Sequence, residues 1–193
     1  MRGLIRRHGP CALTPHGRSP YEALTRAIAH QQLNGRAAET ILARFCALFD
    51  SGRFPSPAAV WAARAATLRR AGFSRAKVRA IKDIARHALA GAVPTRRTCA
   101  RFSDDDLVDR LTQIHGVGRW TVEMLLIFTL GRTDVLPVDD FGVREGYRVA
   151  YGRRGRPTPK ALRAVGERWK PYRSVAAWYL WRAASEARKK ANS

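Results

Sequence analysis

Leu111–Arg144 reads LTQIHGVGRWTVEMLLIFTLGRTDVLPVDDFGVR, and this stretch decides the fold. Its apolar residues Leu111 and Ile114 lead into a tight glycine turn, His115-Gly116-Val117-Gly118, followed at once by Arg119 and a long apolar run. Glycines let a backbone turn sharply and approach another group closely. A helix that begins just after such a turn offers its first N–H groups to an anion. Gly-x-Gly alone would be weak evidence. Flanked by an amphipathic helix before and a buried helix after, it predicts a helix-hairpin-helix that grips a phosphate backbone, with Arg119 adding charge. Further on, Val135–Val138 should be extended around Pro137, and Asp139-Asp140 should open another helix through Val143, Tyr147 and Val149. One of these acids should cap that helix. The other is free for acid–base work or for stabilising positive charge.

Working outward, apolar spacing predicts helices nearly throughout and no strand of useful length. Tyr21–Leu33 carries Leu24, Ala27 and Ile28 at helical spacing, and Asn34-Gly35 should break it. Further helices are expected over Ala37–Phe49, Val60–Ala71 and Ser74–Leu89, with loops at Gly52–Pro57 and Gly91–Thr98. Ser103 followed by Asp104, Asp105 and Asp106 has the character of a helix start, where acids complement the dipole, rather than of a metal site. Trp120–Leu130 should be a central buried helix stopped by Gly131. Pro157-Thr158-Pro159 opens a last helical section whose aromatic part runs from Trp169 to Trp181, with Trp169 and Trp178 expected to pack in a core.

The chain has 193 residues, enough for one compact domain or two small lobes, and 46% are hydrophobic, so a core can be buried. Thirty-six Lys and Arg against 15 Asp and Glu leave a net charge of +21, for which a polyanion is the natural partner. No apolar run is long enough to span a bilayer, so no membrane role is expected. Three cysteines without a CxxC argue against a disulfide scaffold, a zinc knuckle or a four-cysteine iron–sulfur cluster. They fit reduced thiols in an intracellular, cytoplasmic and nucleoid-associated protein. Residues 1–19 are basic, contain no acid and lack a signal-like apolar centre, and a loosely ordered start is expected there. The core is expected over 20–190, with the hairpin at 111–121.

Four ordered motifs now carry a resemblance: AIAHQQLNGRAA early, IHGVGRWT at the hairpin, VLPVDDFGVR after it, and ERWKPYRSVAAWYLW late. Together they resemble the helix-hairpin-helix DNA glycosylases, and within them the DNA-3-methyladenine glycosylase II family of the alkylation-repair branch. The resemblance runs from about Ala27 to Trp181. It implies an all-α fold, a helix-hairpin-helix glycosylase core of two helical lobes flanking a cleft. The longest members carry an N-terminal β-rich domain, for which this chain is expected to have no room.

The resemblance places the family's essential aspartate on Asp140, with Asp139 as the helix cap. Bifunctional relatives have a lysine where this chain has Trp120. Without an amine there, the Schiff-base lyase route has no nucleophile, and a monofunctional enzyme that uses water is implied. Trp120 and Trp181 match aromatic pocket residues, which suits electron-poor, often cationic alkylated purines that stack on indole faces. Met124 stands where some relatives have an aromatic residue and would shape that pocket. Leu33, beside Gln32, matches the wedge that fills the gap left by a flipped nucleotide. With His115, Gly116, Val117, Gly118, Arg119 and Thr121, these two residues form the DNA-facing set. His115 stands where proline is common and is a tolerated turn residue. Backbone carbonyls of Thr112, Ile114 and Val117 match positions that hold a monovalent cation, Na or K, in related hairpins; no other cofactor is required. The implied activity is excision of alkylated purines (3-methyladenine, 7-methylguanine) from double-stranded DNA by a monomer, leaving an abasic site. The alternatives are a non-catalytic helix-hairpin-helix module, which would keep the hairpin but need neither acid nor pocket, and a glycosylase of another damaged base.

Overall fold

The computed structural model describes residues 1–33, 35–49 and 53–191. Among them all regular structure is helical. In chain order the helices are α1 (Arg2–His8), α2 (Pro20–His30), α3 (Gly35–Ala47), α4 (Pro57–Ala62), α5 (Ala65–Arg70), α6 (Arg75–Leu89), α7 (Arg96–Cys99), α8 (Asp104–Leu111) and α9 (Arg119–Leu125), a π-helical turn over Leu126–Leu130, then α10 (Phe141–Ala150), α11 (Pro159–Gly166), a 3-10 turn over Glu167–Trp169, and α12 (Arg173–Ala191). No helix among the described residues is long and apolar enough to cross a membrane. The chain divides into two compact units, His16–Leu125 and, joined from both ends, Met1–Pro15 with Leu126–Ser193.

The hairpin unit, His16–Leu125, is built on α2 and α6. Ser19 caps α2 by accepting the Glu22 N–H, and Pro20 at its first position needs no N–H partner. Leu24 and Ile28 of α2, Leu42 and Phe45 of α3, Ile81 and Ile84 of α6 and Leu107 and Leu111 of α8 are fully buried. Burial of side chains that size is worth about 1.5–3 kcal/mol each. The expected helix over Val60–Ala71 is two helices, because Ala63 and Arg64 are extended. Lys82 Nζ donates to the Ala63 carbonyl at 2.7 Å, which satisfies the group that the break exposes. Four residues of the expected loop at Gly91–Thr98 and just beyond form α7, capped by Thr95. Ser103 and Asp106 exchange hydrogen bonds in a capping box, so the three acids are a helix start. The expected break at Asn34 and the start of the loop at Gly52 lie outside the described residues, while Gly35 opens α3.

The acid unit has α10 against α12, with Leu136, Val138, Val143, Tyr147, Leu162, Trp178 and Leu180 in its core. Trp169 packs on the same cluster. The loosely ordered start expected at residues 1–19 is corrected over its first turns: Arg2–His8 is a helix with Leu4 buried in this core. Tyr179 Oη donates to the Gly9 carbonyl at 2.8 Å, and the Met1 ammonium donates to Tyr151 Oη at 3.2 Å. At Gly146 a Cβ would fall inside the Leu180 carbonyl, so only glycine lets α10 and α12 approach this closely.

Candidate functional site

In the hairpin unit, α8 ends at Leu111 and α9 begins at Arg119, as the glycine turn requires. Leu111, Ile114 and Val117 face the core, while His115, Gly116, Gly118 and Arg119 are exposed. Gly116 has φ 80°, and a Cβ there would lie 2.8 Å from the Ala80 Cβ. The turn therefore rests on α6 at a contact too close for any side chain. Two groups hold it from behind. Asp83 Oδ2 accepts the His115 N–H at 2.8 Å. Gln31 Nε2 donates to the Gly116 carbonyl at 3.2 Å and to Thr121 Oγ1 at 3.4 Å. Burial alone would push the Asp83 carboxyl up, but the His115 N–H, the Arg86 guanidinium and the His87 ring outweigh it and hold it below the ordinary carboxylate value.

Arg119 is half exposed and only loosely paired, 3.7 Å from Asp105 and 3.7 Å from Glu123. Such pairs are weak and exchange readily for phosphate. At the end of α2, Gln32 takes the left-handed region at φ 58°, and Leu33 stands 41% exposed. An exposed leucine after a strained turn fits the wedge reading. Lys77 Nζ fixes the base of that turn by donating to the carbonyls of Ala29 and Gln31, both at 2.8 Å; burial lowers its ammonium's proton affinity. Trp120 is 36% exposed, and Met124, Phe128 and Leu130 are partly so, on a stretch expected to be buried all round.

In the acid unit, Asp140 is the N-cap of α10, and Oδ1 accepts the Val143 N–H at 2.7 Å. The same oxygen accepts Trp181 Nε1–H at 2.8 Å. This corrects the division of labour expected for the pair. Asp139 is exposed one residue before the cap, and Asp140 is both the cap and the oriented carboxylate. The Trp181 ring lies against Phe128, centroids 5.4 Å apart and tilted by 30°. Gly142 leaves room for the indole: a Cβ there would meet Trp181 Cδ1 at 2.8 Å and Asp140 Oδ1 at 3.2 Å. Behind the site, the start of α12 is tied to the extended segment that leads to Asp140. Arg173 grips Asp134 at 2.7 and 3.0 Å, and buried Ser174 donates to the Arg132 carbonyl at 2.7 Å and accepts the Val135 N–H at 3.0 Å. A carboxylate held by two N–H donors against an indole can stabilise developing positive charge and orient water.

The sequence over residues 25–171 matches the HhH-GPD superfamily of base excision DNA repair proteins. The chain belongs to the HhH-GPD superfamily. Within it, the chain is 44% identical over 165 residues to DNA-3-methyladenine glycosylase 1 of Schizosaccharomyces pombe, covering 86% of this chain and 72% of the relative. A solved structure of the S. pombe 3-methyladenine DNA glycosylase in complex with abasic DNA superposes with a TM-score of 0.87 at 41% identity, over 93% of this chain and 88% of that one. A DNA-3-methyladenine glycosidase structure from Bacillus halodurans gives 0.84 at 32% identity, over 98% and 86%.

For this HhH-GPD chain, sequence reasoning placed the hairpin and the acid correctly in their local elements. It missed Asp83, Gln31 and Lys77, which build the hairpin's support, and Phe128 and Gly142, which seat Trp181. Asp83, Gln31 and Lys77 leave only the trace of a polar residue on an otherwise ordinary helix, and Phe128 and Gly142 leave none.

Proposed function

We propose that this protein is a monofunctional DNA-3-methyladenine glycosylase in which Asp140 serves the reaction and the exposed hairpin holds the duplex. The observation that carries the reading is the double N–H grip of Val143 and Trp181 on one oxygen of Asp140. In an alkylated purine nucleotide the base is already a good leaving group. As the C1′–N bond breaks, its electron pair passes to the base, and the sugar becomes oxocarbenium-like. The Asp140 carboxylate stabilises that charge; water then adds to C1′ and surrenders a proton. Trp120 leaves no amine for a covalent sugar adduct, so the product is an intact strand with an abasic site. The indole face of Trp181 is the stacking group offered to an electron-poor purine.

The exposed residues His115, Gly116, Gly118 and Arg119 supply sequence-independent phosphate contact, and Leu33 with Gln32 supplies the wedge. The hairpin also fits a monovalent cation. The Ile114 carbonyl accepts the Val117 N–H at 3.0 Å and keeps a second lone pair, while Thr112 turns its hydroxyl back to the Val108 carbonyl at 2.8 Å, leaving its own carbonyl as the donor. With Val117 these would hold Na or K, which would lock the turn. A monomeric, intracellular protein fits a partner of this kind.

The test is single-turnover release of base from methylated duplex DNA by wild type and Asp140→Asn. Asparagine caps a helix as well as aspartate does, so folding is retained. Free 3-methyladenine, strand breaks only after alkali and a rate lowered by about 10²–10³ in the variant support the reading. Tight, salt-sensitive binding with no release by wild type would instead support a binding module or a different lesion.

A further inference from the structure

Phe141 follows Asp140 directly, yet its ring is 62% exposed. A ring this exposed adds little burial to the core and leaves a flat face open to a neighbour. It has one neighbour of note: the guanidinium of Arg156 lies over the ring, 4.4 Å from its centroid. The loop that carries Arg156 is fastened to α10 on both sides. Arg153 N–H donates to the Arg148 carbonyl at 2.9 Å, and Arg144 Nε donates to the Pro157 carbonyl at 2.9 Å. Arg156 is therefore delivered to the ring by the backbone on either side of it.

Arg156 makes no ion pair or hydrogen bond among the described residues. Glu145 feels its charge, but both Glu145 oxygens are spent on Arg148, at 2.7 and 3.1 Å. A planar cation stacked on a ring keeps its N–H edge for an acceptor in the ring plane, and the fork fits phosphate in particular. Phe141 is the residue next to Asp140, so the stacked guanidinium adds positive charge at this end of α10. A phosphate on the guanidinium cancels the charge.

Resting on the reading of Asp140 above, we propose that Arg156, braced on Phe141, grips a backbone phosphate next to the nucleotide whose base is removed. It is a positioning residue for the flipped nucleotide, distinct from the hairpin, which holds the duplex without regard to damage. Removing it should weaken binding to DNA that presents an extruded sugar far more than binding to intact duplex.

The experiment measures binding to duplexes with a tetrahydrofuran abasic analogue in which one linkage near the lesion is replaced by an uncharged methylphosphonate. The linkages on either side of the analogue and the next one outward are replaced in turn. Arg156→Ala should lose about tenfold in affinity on the all-phosphate abasic duplex, with its salt slope reduced by about 1. At one linkage, neutralisation should cost wild type a similar factor and cost Arg156→Ala nothing further. Arg156→Lys, which keeps charge without the stacked fork, should fall between. A loss in Arg156→Ala that is the same at every linkage marks a merely structural role and overturns the proposal, as does wild-type affinity in Arg156→Ala. Base release by wild type is assayed alongside. Its absence sinks the glycosylase reading, whereas active wild type with additive losses sinks only the assignment of Arg156.

Discussion

The hairpin and the acid site solve opposite problems. In the function proposed above, the hairpin offers backbone to DNA, and its side chains matter mainly by being absent or buried. Gly116 sits against Ala80, Ile114 and Val117 face inward, and Asp83 and Gln31 hold the turn from the protein side. The acid site offers one side chain, and other side chains aim it: Trp181 from α12, Val143 through the cap, and Gly142 by leaving space. A surface meant to hold any sequence uses groups every residue has. A surface meant to act on one sugar carbon needs a particular atom in a particular place. Damage to the first should thus change affinity for all DNA, and damage to the second should change rate.

The strongest way to break that contrast is Gly116→Ala. A side chain at φ 80° with its Cβ 2.8 Å from Ala80 is strained and displaced. Such strain costs on the order of 1–3 kcal/mol. Urea unfolding should show that loss, and affinity for undamaged and damaged duplex should fall together by at least about tenfold. A selective loss on damaged DNA would mean that the hairpin reads lesions. Trp181→Phe attacks the other side. It keeps an aromatic ring but removes the indole N–H from Asp140. Single-turnover base release should slow about tenfold, as expected for one lost charge-assisted hydrogen bond. Affinity for the abasic duplex should barely move, and a purely affinity-borne defect would contradict the division.

Asp83→Asn sharpens the hairpin half through pH. The folded protein holds the Asp83 carboxyl below its ordinary value, so ionised Asp83 stabilises the fold fully above the ordinary carboxylate range. That contribution fades as pH falls through the lowered value. Wild type should therefore be more stable than Asp83→Asn near neutrality, by about 1–2 kcal/mol. The gap in thermal unfolding should close in acid. A gap that widens in acid would mean that the N–H of His115 is not what Asp83 holds. Arg119→Ala is the mildest change, since the side chain is half exposed and its pairs are 3.7 Å long. Binding to damaged and undamaged duplex should weaken equally, by about two- to threefold.

The two regions also differ in how much of them could be read before the structure. Gly116, Gly118 and their flanking apolar residues are contiguous, and a tight turn between helices leaves a local signature. The support under the turn comes from Asp83 and Gln31, 32 and 85 residues away from the groups they hold. In sequence both look like solvated positions on amphipathic helices. At the acid site the pair Asp139-Asp140 was legible, but which acid caps α10 depends on where its first turn starts, one residue later than a cap at Asp139 needs. Helix α1 left no trace because seven residues with one buried leucine carry no periodicity. The break at Ala63 depends on Lys82 from α6 taking its carbonyl, which no local propensity encodes.

Gly146 carries a consequence for reading variants of this protein. It lies two turns from Asp140, touches no reacting group and would pass for a filler residue in a helix. Yet any side chain there meets the backbone at Leu180, the residue next to Trp181. A change at 146 would slide one helix along the other and carry the indole off the carboxylate. A mutational survey that ranks positions by distance from the chemistry would class it as harmless. Its carrier would lose base release and fold stability together, since the same contact packs α10 on α12.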